Sequence, residues 1–455
     1  MPPSPEPLAE RAPMASRGDI MRPGWASAAF LIVMLGASAL TMARMAVVAG
    51  LLLPSDFARY ATIIATGAYL ATIISFGAVE QTIKAFPRLV EDGQEGLLRG
   101  RSGAIFAVLA KRSVMVGLPA LAVGLAFDVE WASDLAISAA YALVTAGMAL
   151  VASLQRAMHD TRKLALGTVL RTAVVFACVV AAAWVAGVDA ILAAEIGATG
   201  FVCLLSVFLF VPRSSQSADR EPETEAPATG DRSGVTVFLA YGAVNVPYYL
   251  DRLYVSAVMG REVAGRYAVL ALFLMFAALL VGILAQRVGP DAIRLVHRER
   301  HSRSAARHMA LWIGLASAVW LLAIGGAATL FSWEGLPEGI ARYAIEPDLL
   351  APIAVSGVLL NVGLLEFLII ALDREAALLR AALGFLALVL MAAMAIALTG
   401  QGLYAMLWAL AGCRLIYAAL LLVALRSPPS RNKGQTKRVP TGLAQVDAIT
   451  GTMDK

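Results

Sequence analysis

Charge is scarce in this 455-residue chain: only 15% of its residues are Asp, Glu, Lys or Arg, and its mean hydropathy is +0.75. A soluble domain carries roughly 25% charged residues to keep its surface in water, so that class is excluded. Cysteine is scarcer still. Cys178, Cys203 and Cys413 are scattered through apolar stretches, with no spacing that suggests a disulfide framework or a metal site. Histidine numbers four, His159, His297, His301 and His308, all in polar gaps on one side of the chain's apolar pattern. There is no Gly-x-x-x-x-Gly-Lys phosphate loop and no Ser/His/Asp arrangement, so direct use of ATP and nucleophilic catalysis are not expected. No cofactor, no metal and no enzymatic activity are expected.

What the sequence does have is length in its apolar runs. Stretches of roughly 20 residues, each able to cross a hydrocarbon core of about 30 Å, recur over 25–52, 58–84, 106–127, 133–155, 164–187, 190–212, 235–259, 264–288, 308–331, 349–372, 376–399 and 403–425. The expected fold is therefore all-α, a polytopic membrane protein of about twelve transmembrane helices. The first span is read as retained, because no small-residue cleavage site follows it. Lys111 and Arg112 fall inside the third span and are expected to snorkel to the cytoplasmic interface. Gly289-Pro290 reads as the stop of the eighth.

Basic residues settle the orientation. With both termini in the cytoplasm, 30 of the 37 Lys and Arg fall on the cytoplasmic side. Only Arg59, Arg261, Arg266 and Arg342 fall on the outer side, while Arg44, Arg252 and Arg414 lie within spans. The outer loops are acidic, as in Glu334, Glu338, Glu346 and Asp348. Such an alternation follows the positive-inside rule and accounts for the net charge of +5 without nucleic acid. Residues 1–24 form an N-terminal tail, 213–233 a charged linker expected to be disordered, and 427–455 a polar C-terminal tail.

The linker separates two six-span lobes, 25–212 and 234–426, whose sequences match in register. LPSDFARYATI (Leu53 to Ile63) aligns with GREVAGRYAVL (Gly260 to Leu270), and MHDTRKLALG (Met158 to Gly167) with LDREAALLRA (Leu372 to Ala381). Six spans per half is an even number, so the halves enter from one side and are parallel repeats around a central cavity. Rocking one bundle against the other would expose that cavity to alternate sides.

LLLPSDFARYATIIATGAYLATIISFGAVEQTIKAFPRLV (Leu51 to Val90) resembles the start of the polysaccharide and O-antigen flippases of the multidrug/oligosaccharidyl-lipid/polysaccharide (MOP) exporter superfamily, with Gly77 and Glu80-Gln81 at the motif positions. LDRLYVSAVMGREVAGRYAVLALFL (Leu250 to Leu274) resembles their seventh-to-eighth-span signature, through Asp251, Gly265 and Tyr267. Ala58 departs from the usual Gly. The resemblance implies a flippase that carries an undecaprenyl-diphosphate-linked oligosaccharide to the periplasmic leaflet of a bacterial inner membrane. It would serve O-antigen, exopolysaccharide or capsule assembly, among membrane lipids and alongside glycan polymerase or glycosyltransferase partners. A cation-coupled multidrug antiporter or a lipid II flippase of the same fold is the alternative. A glycan polymerase or ligase ranks last, because the longest outer loop, about 332–348, is short and acidic.

Ionisable residues inside a membrane point to function. Arg44 lies about eight residues before the outer end of the first span, and the repeat register places Asp251 on it. Tyr241, Asn245, Tyr248 and Arg252 share a stripe of roughly 60° on a helix turning about 100° per residue, with Asp251 bordering it and Pro247 in the same helix. Arg44, Tyr241, Asn245, Tyr248, Asp251 and Arg252 are the expected cavity residues. Both arginines suit a diphosphate, and Asp251 would hold one of them in the empty state or tie the halves together. Glu366 with Asn361, and Glu195, are candidates for a coupling cation or proton. Arg414 ranks lower, and Glu80 with Lys84 read as a local pair.

Overall fold

The computed structural model describes residues 25–76, 95–158, 161–185, 187–210, 232–299, 302–332, 337–372 and 374–426, together with 78, 79, 82, 86, 89 and 90. The tails, residues 213–231 of the linker, and Gly77, Glu80, Gln81 and Lys84 lie outside the described residues; the linker's last two residues, 232 and 233, are helical rather than disordered and open the seventh helix. Among the described residues, twelve long helices carry the fold. They are α1 Trp25–Leu51, α2 Pro54–Ser75, α3 Glu95–Phe127, α4 Glu130–Ala157, α5 Thr161–Val185, α6 Val188–Phe210, α7 Arg232–Met259, α8 Arg261–Glu299, α9 Ser302–Phe331, α10 Pro347–Ala371, α11 Glu375–Thr399 and α12 Leu403–Ala424. No strand occurs among the described residues.

Eleven of these helices are long and apolar enough to cross a membrane. The exception is α7. Its 28 residues would reach about 42 Å, but Tyr241, Asn245, Asp251 and Arg252 dilute its hydropathy. A backbone surrounded by hydrocarbon must satisfy its own hydrogen bonds, which is why helices alone span this protein. The chain is a multi-pass membrane protein.

The two lobes repeat their packing. In the first, α1 packs on α5, α2 on α4, α3 on α4, α4 on α6 and α5 on α6. In the second, each pairing recurs six helices later, from α7 on α11 to α11 on α12. The lobes meet where α1 and α2 face α7 and α8. We call the end of the bundle opposite the chain termini the distal end.

Close helix contact in lipid depends on small residues and on hydrogen bonds rather than on hydrophobic burial. Ser138 of α4 donates to the Ile63 carbonyl of α2 at 3.1 Å. Gly357 of α10 lies so close to Trp320 of α9 that a Cβ there would sit 2.1 Å from the indole, which itself donates to the Ala354 carbonyl at 2.9 Å. Gly357→Ala is expected to destabilise the second lobe by about 1–3 kcal/mol, the usual range for overpacking. Thermal unfolding of the purified variant measures it.

Three expectations need correction. Regular α2 ends at Ser75, because Phe76 adopts a left-handed conformation at φ 34°. Its end is capped from α3, which begins well before residue 106. Arg112 donates to the Ile74 and Ser75 carbonyls at 2.7 and 3.1 Å and lies 5.8 Å over the Phe76 ring. It therefore caps a helix, while Lys111 alone is exposed. Finally, Gly289-Pro290 does not stop the eighth helix, although its membrane-length apolar stretch ends just before it, at Ala285. α8 runs through it to Glu299, since a proline removes one helical hydrogen bond and the charged segment beyond is free to stay helical.

Candidate functional site: paired charge clusters and a closed distal end

Each lobe buries a charge cluster of the same plan. In the first lobe Arg44 lies seven residues from the distal end of α1, and Glu195 seven residues from the distal end of α6. Equal depth brings them together. Arg44 forms an ion pair with one Glu195 oxygen, and the Tyr60 hydroxyl of α2 donates to the other. Glu195 is 1% exposed and Arg44 7%, so neither faces lipid. The Arg44 Nε has no hydrogen-bond partner.

In the second lobe Tyr267 of α8, the repeat counterpart of Tyr60, donates to one oxygen of Asp251. The other oxygen accepts from the Arg252 backbone N–H at 2.7 Å and lies 3.6 Å from its guanidinium. Arg414 of α12 is buried within electrostatic reach of Asp251, Tyr248 and Tyr267. The plan is one tyrosine from a lobe's second helix, with opposite charges from its first and sixth. The signs are exchanged: base on α1 and acid on α6 in one lobe, acid on α7 and base on α12 in the other.

Several sequence-based readings change accordingly. Arg44 and Asp251 occupy equivalent positions, as the register predicts, but they do not tie the halves together. Each is bound inside its own lobe. Glu195, expected near a coupling ion, is instead the partner of Arg44. Arg414, ranked low, belongs to the Asp251 cluster. Arg171, counted among the cytoplasmic basic residues, lies ten residues into α5 and lines a cavity beside Arg44. Tyr60 and Tyr267 are matched positions of the repeat, and Tyr267 also belongs to the seventh-to-eighth-span signature; those were the signals that could have identified them as partners of the buried acids.

The α7 face carries the remaining expected residues. Tyr241, Asn245 and Tyr248 are half-buried and Arg252 is buried. Pro247 lies inside the helix and leaves the Ala243 carbonyl without its helical donor. Tyr249, which the stripe omits, reaches across the lobe boundary, its ring 6.3 Å from that of Tyr69 in α2 and 5.0 Å from Tyr248. Deeper in the second lobe Glu366 accepts from the Tyr417 hydroxyl at 2.8 Å, within electrostatic reach of Tyr241. No basic side chain pairs with Glu366 among the described residues. Asn361 donates to Ser317 at 3.3 Å and leaves its own oxygen unpartnered. A 3-10 turn at Val362–Leu364 separates the two residues.

The lobes are closed at the distal end. A Cβ on Gly265 of α8 would lie 2.2 Å from the Pro54 carbonyl of α2. The segment before α10 seals the end of α1. The Tyr343 hydroxyl, fully buried, donates to the Ala49 carbonyl at 2.8 Å, and Arg342 donates to that of Gly50 at 2.6 Å. Arg261 bonds Glu130 across the lobes at 2.6 Å, while Arg59 holds Asp134 and Asp189 at 2.9 and 3.0 Å. Three of the four basic residues that break the positive-inside pattern thus have acids or carbonyls to hold. Arg261 and Glu130 are each about half exposed, so their bond contributes under about 1 kcal/mol. The backbone approach at Gly265 and the buried Tyr343 do most of the sealing.

The inward-facing structure of a multidrug resistance MATE family transporter of the MOP superfamily superposes on this chain with a TM-score of 0.60 at 15% identity, covering 87% of this chain and 97% of that one. This chain shares the fold of that structure. The outward-facing conformation of such a transporter gives 0.56 at 14% identity, over 87% and 93% of the two chains. The lipid II flippase MurJ in its inward closed conformation gives 0.58 at 10% identity, over 89% and 88%. At such identities the likeness shows the fold alone. No family model and no curated protein matches the sequence.

Proposed function

We propose that the chain is a flippase of a bacterial inner membrane, carrying an undecaprenyl-diphosphate-linked oligosaccharide from the cytoplasmic to the periplasmic leaflet by alternating access. Its termini would be cytoplasmic and its distal end periplasmic, as the basic residues indicate. The observation that carries this reading is α7: among the described residues the one long helix too polar for lipid, kinkable at Pro247, with Tyr241, Asn245 and Tyr248 half-exposed on the helix that carries Arg252. Tyrosine and asparagine suit sugar hydroxyls, and a guanidinium suits a diphosphate. Asp251 would hold Arg252 until the headgroup replaces it. Arg44 is already neutralised by Glu195, so its part in the cycle would be indirect. Glycan polymerases or glycosyltransferases would act on the product.

A second reading, a cation-coupled antiporter, draws on Glu366. A buried carboxyl with a tyrosine and no basic partner is suited to exchanging a proton, and the same group could drive either cargo. Deleting the protein and extracting lipid-linked intermediates separates the two. Undecaprenyl-linked oligosaccharide should accumulate, with surface glycan lost. Unchanged glycan together with raised drug sensitivity would favour the antiporter. Arg252→Ala, at wild-type abundance, should cut surface glycan at least about tenfold, the effect of losing one charge-assisted contact worth ~1.5–3 kcal/mol. Normal export by that variant would remove Arg252 from the site.

A further inference from the structure

A partly open cavity of about 30 Å³ lies in the first lobe between α1, α4, α5 and α6, with Thr41, Arg44, Arg171, Thr172, Glu195 and Thr199 in its lining. That is room for about two water molecules, or for a single halide ion. Two guanidiniums face one carboxylate there. Arg44 and Glu195 cancel each other, and both Glu195 oxygens are engaged, one by Arg44 and one by Tyr60. Arg171 is left over. It has no carboxylate partner among the described residues. Ten residues into α5 puts it about 15 Å along the helix from its start, deeper than a side chain easily snorkels.

The donors agree with the charge. Arg44 is more than nine-tenths buried, lines the cavity, and has an unpartnered Nε–H. The buried Thr199 hydroxyl makes no hydrogen bond among the described residues. Thr41 and Thr172 donate their protons to the Ala37 and Thr168 carbonyls, at 3.0 and 2.8 Å. Their lone pairs would welcome a cation, but the Arg171 charge opposes one. A lone water would satisfy the donors and leave the half-buried Arg171 charge without a counter-charge, which is unfavourable away from bulk water.

We propose that this cavity binds one small monovalent anion, of the size of chloride, between Arg171, the Arg44 Nε and Thr199. The anion neutralises the lobe's interior and joins α5 to the α1–α6 pair. It is separate from the α7 face and does not depend on what that face carries.

The test compares the purified full chain in lipid nanodiscs in sodium chloride and in sodium gluconate, whose anion is too large for the cavity, each at about 150 mM. The thermal midpoint of the wild type should be about 3 °C or more higher in chloride, and the shift should saturate with concentration. Arg171→Met should abolish the difference. Thr199→Val, which changes no charge, should raise the half-saturating chloride concentration several-fold, and it carries the test if Arg171→Met does not fold. Equal midpoints for the wild type in the two salts would show a cavity that holds water only, and would overturn the proposal. So would a chloride effect that persists unchanged in the variants, since that is a general salt effect.

Discussion

Glu195→Ala should destabilise the first lobe by about 3–5 kcal/mol, the cost of leaving a buried guanidinium without its counter-ion. The partner of that guanidinium is 151 residues away in sequence and buried with it, so water cannot take over. Glu195→Gln should cost less, because the amide still accepts from Tyr60. The informative variant is the double one, Arg44→Met with Glu195→Met. Removing both charges from a well-packed site is often neutral or stabilising, so most of the lost stability should return. Exchanging the two residues, Arg44→Glu with Glu195→Arg, copies the sign order of the second lobe and should also recover stability. Urea or thermal unfolding of the four variants decides the matter. Equal destabilisation by the single and double variants would show that the pair is not what holds these helices.

Gly265→Val should abolish transport while leaving each lobe folded. A Cβ at this position would meet the Pro54 carbonyl at 2.2 Å and other Pro54 atoms at 2.7 and 2.9 Å, all of them main-chain atoms with no rotamer to move. Something must shift, and the boundary between lobes can do so more easily than either helix bundle. The distal end would be wedged open and the closed state lost from the cycle, a drop in flux of at least about a hundredfold if closure is disfavoured by ~3 kcal/mol. Spin labels on the distal ends of α2 and α8 should report a longer distance than in the wild type. Gly282→Ala, in the same helix with open space around it, is the control and should transport normally. An unchanged label distance and normal flux for Gly265→Val would show that the approach at Pro54 is not part of closure.

The repeat was readable because both copies of the Arg-Tyr motif survive at the head of α2 and α8. The structure gives that motif a reason: Tyr60 and Tyr267 each lock a buried acid. The acids themselves were harder to assign. Register alone put Asp251 against Arg44, and so suggested a bond between lobes, because equivalence in a repeat is easily read as proximity. Helix packing places them instead on equivalent but separate sites. Arg171 was hidden for a different reason. Ten residues into its helix, it looks like one more basic residue near a cytoplasmic helix start, and only the packing of α5 against α1 and α6 gives it an interior cavity to line.

The number of spans, their order and the division into two parallel lobes belong to the sequence by itself, because hydrocarbon demands about 20 apolar residues for every crossing and tolerates little else. Where each span stops was less secure, since a capping arginine from α3 or a proline that a helix can absorb does not show in hydropathy. Which charge neutralises which, and which end of the bundle is shut, came only from the tertiary structure. Those outcomes rest on contacts between helices far apart in the chain, such as Arg44 with Glu195 and Tyr343 with Ala49, and local sequence carries no energy term for a partner it has not yet met.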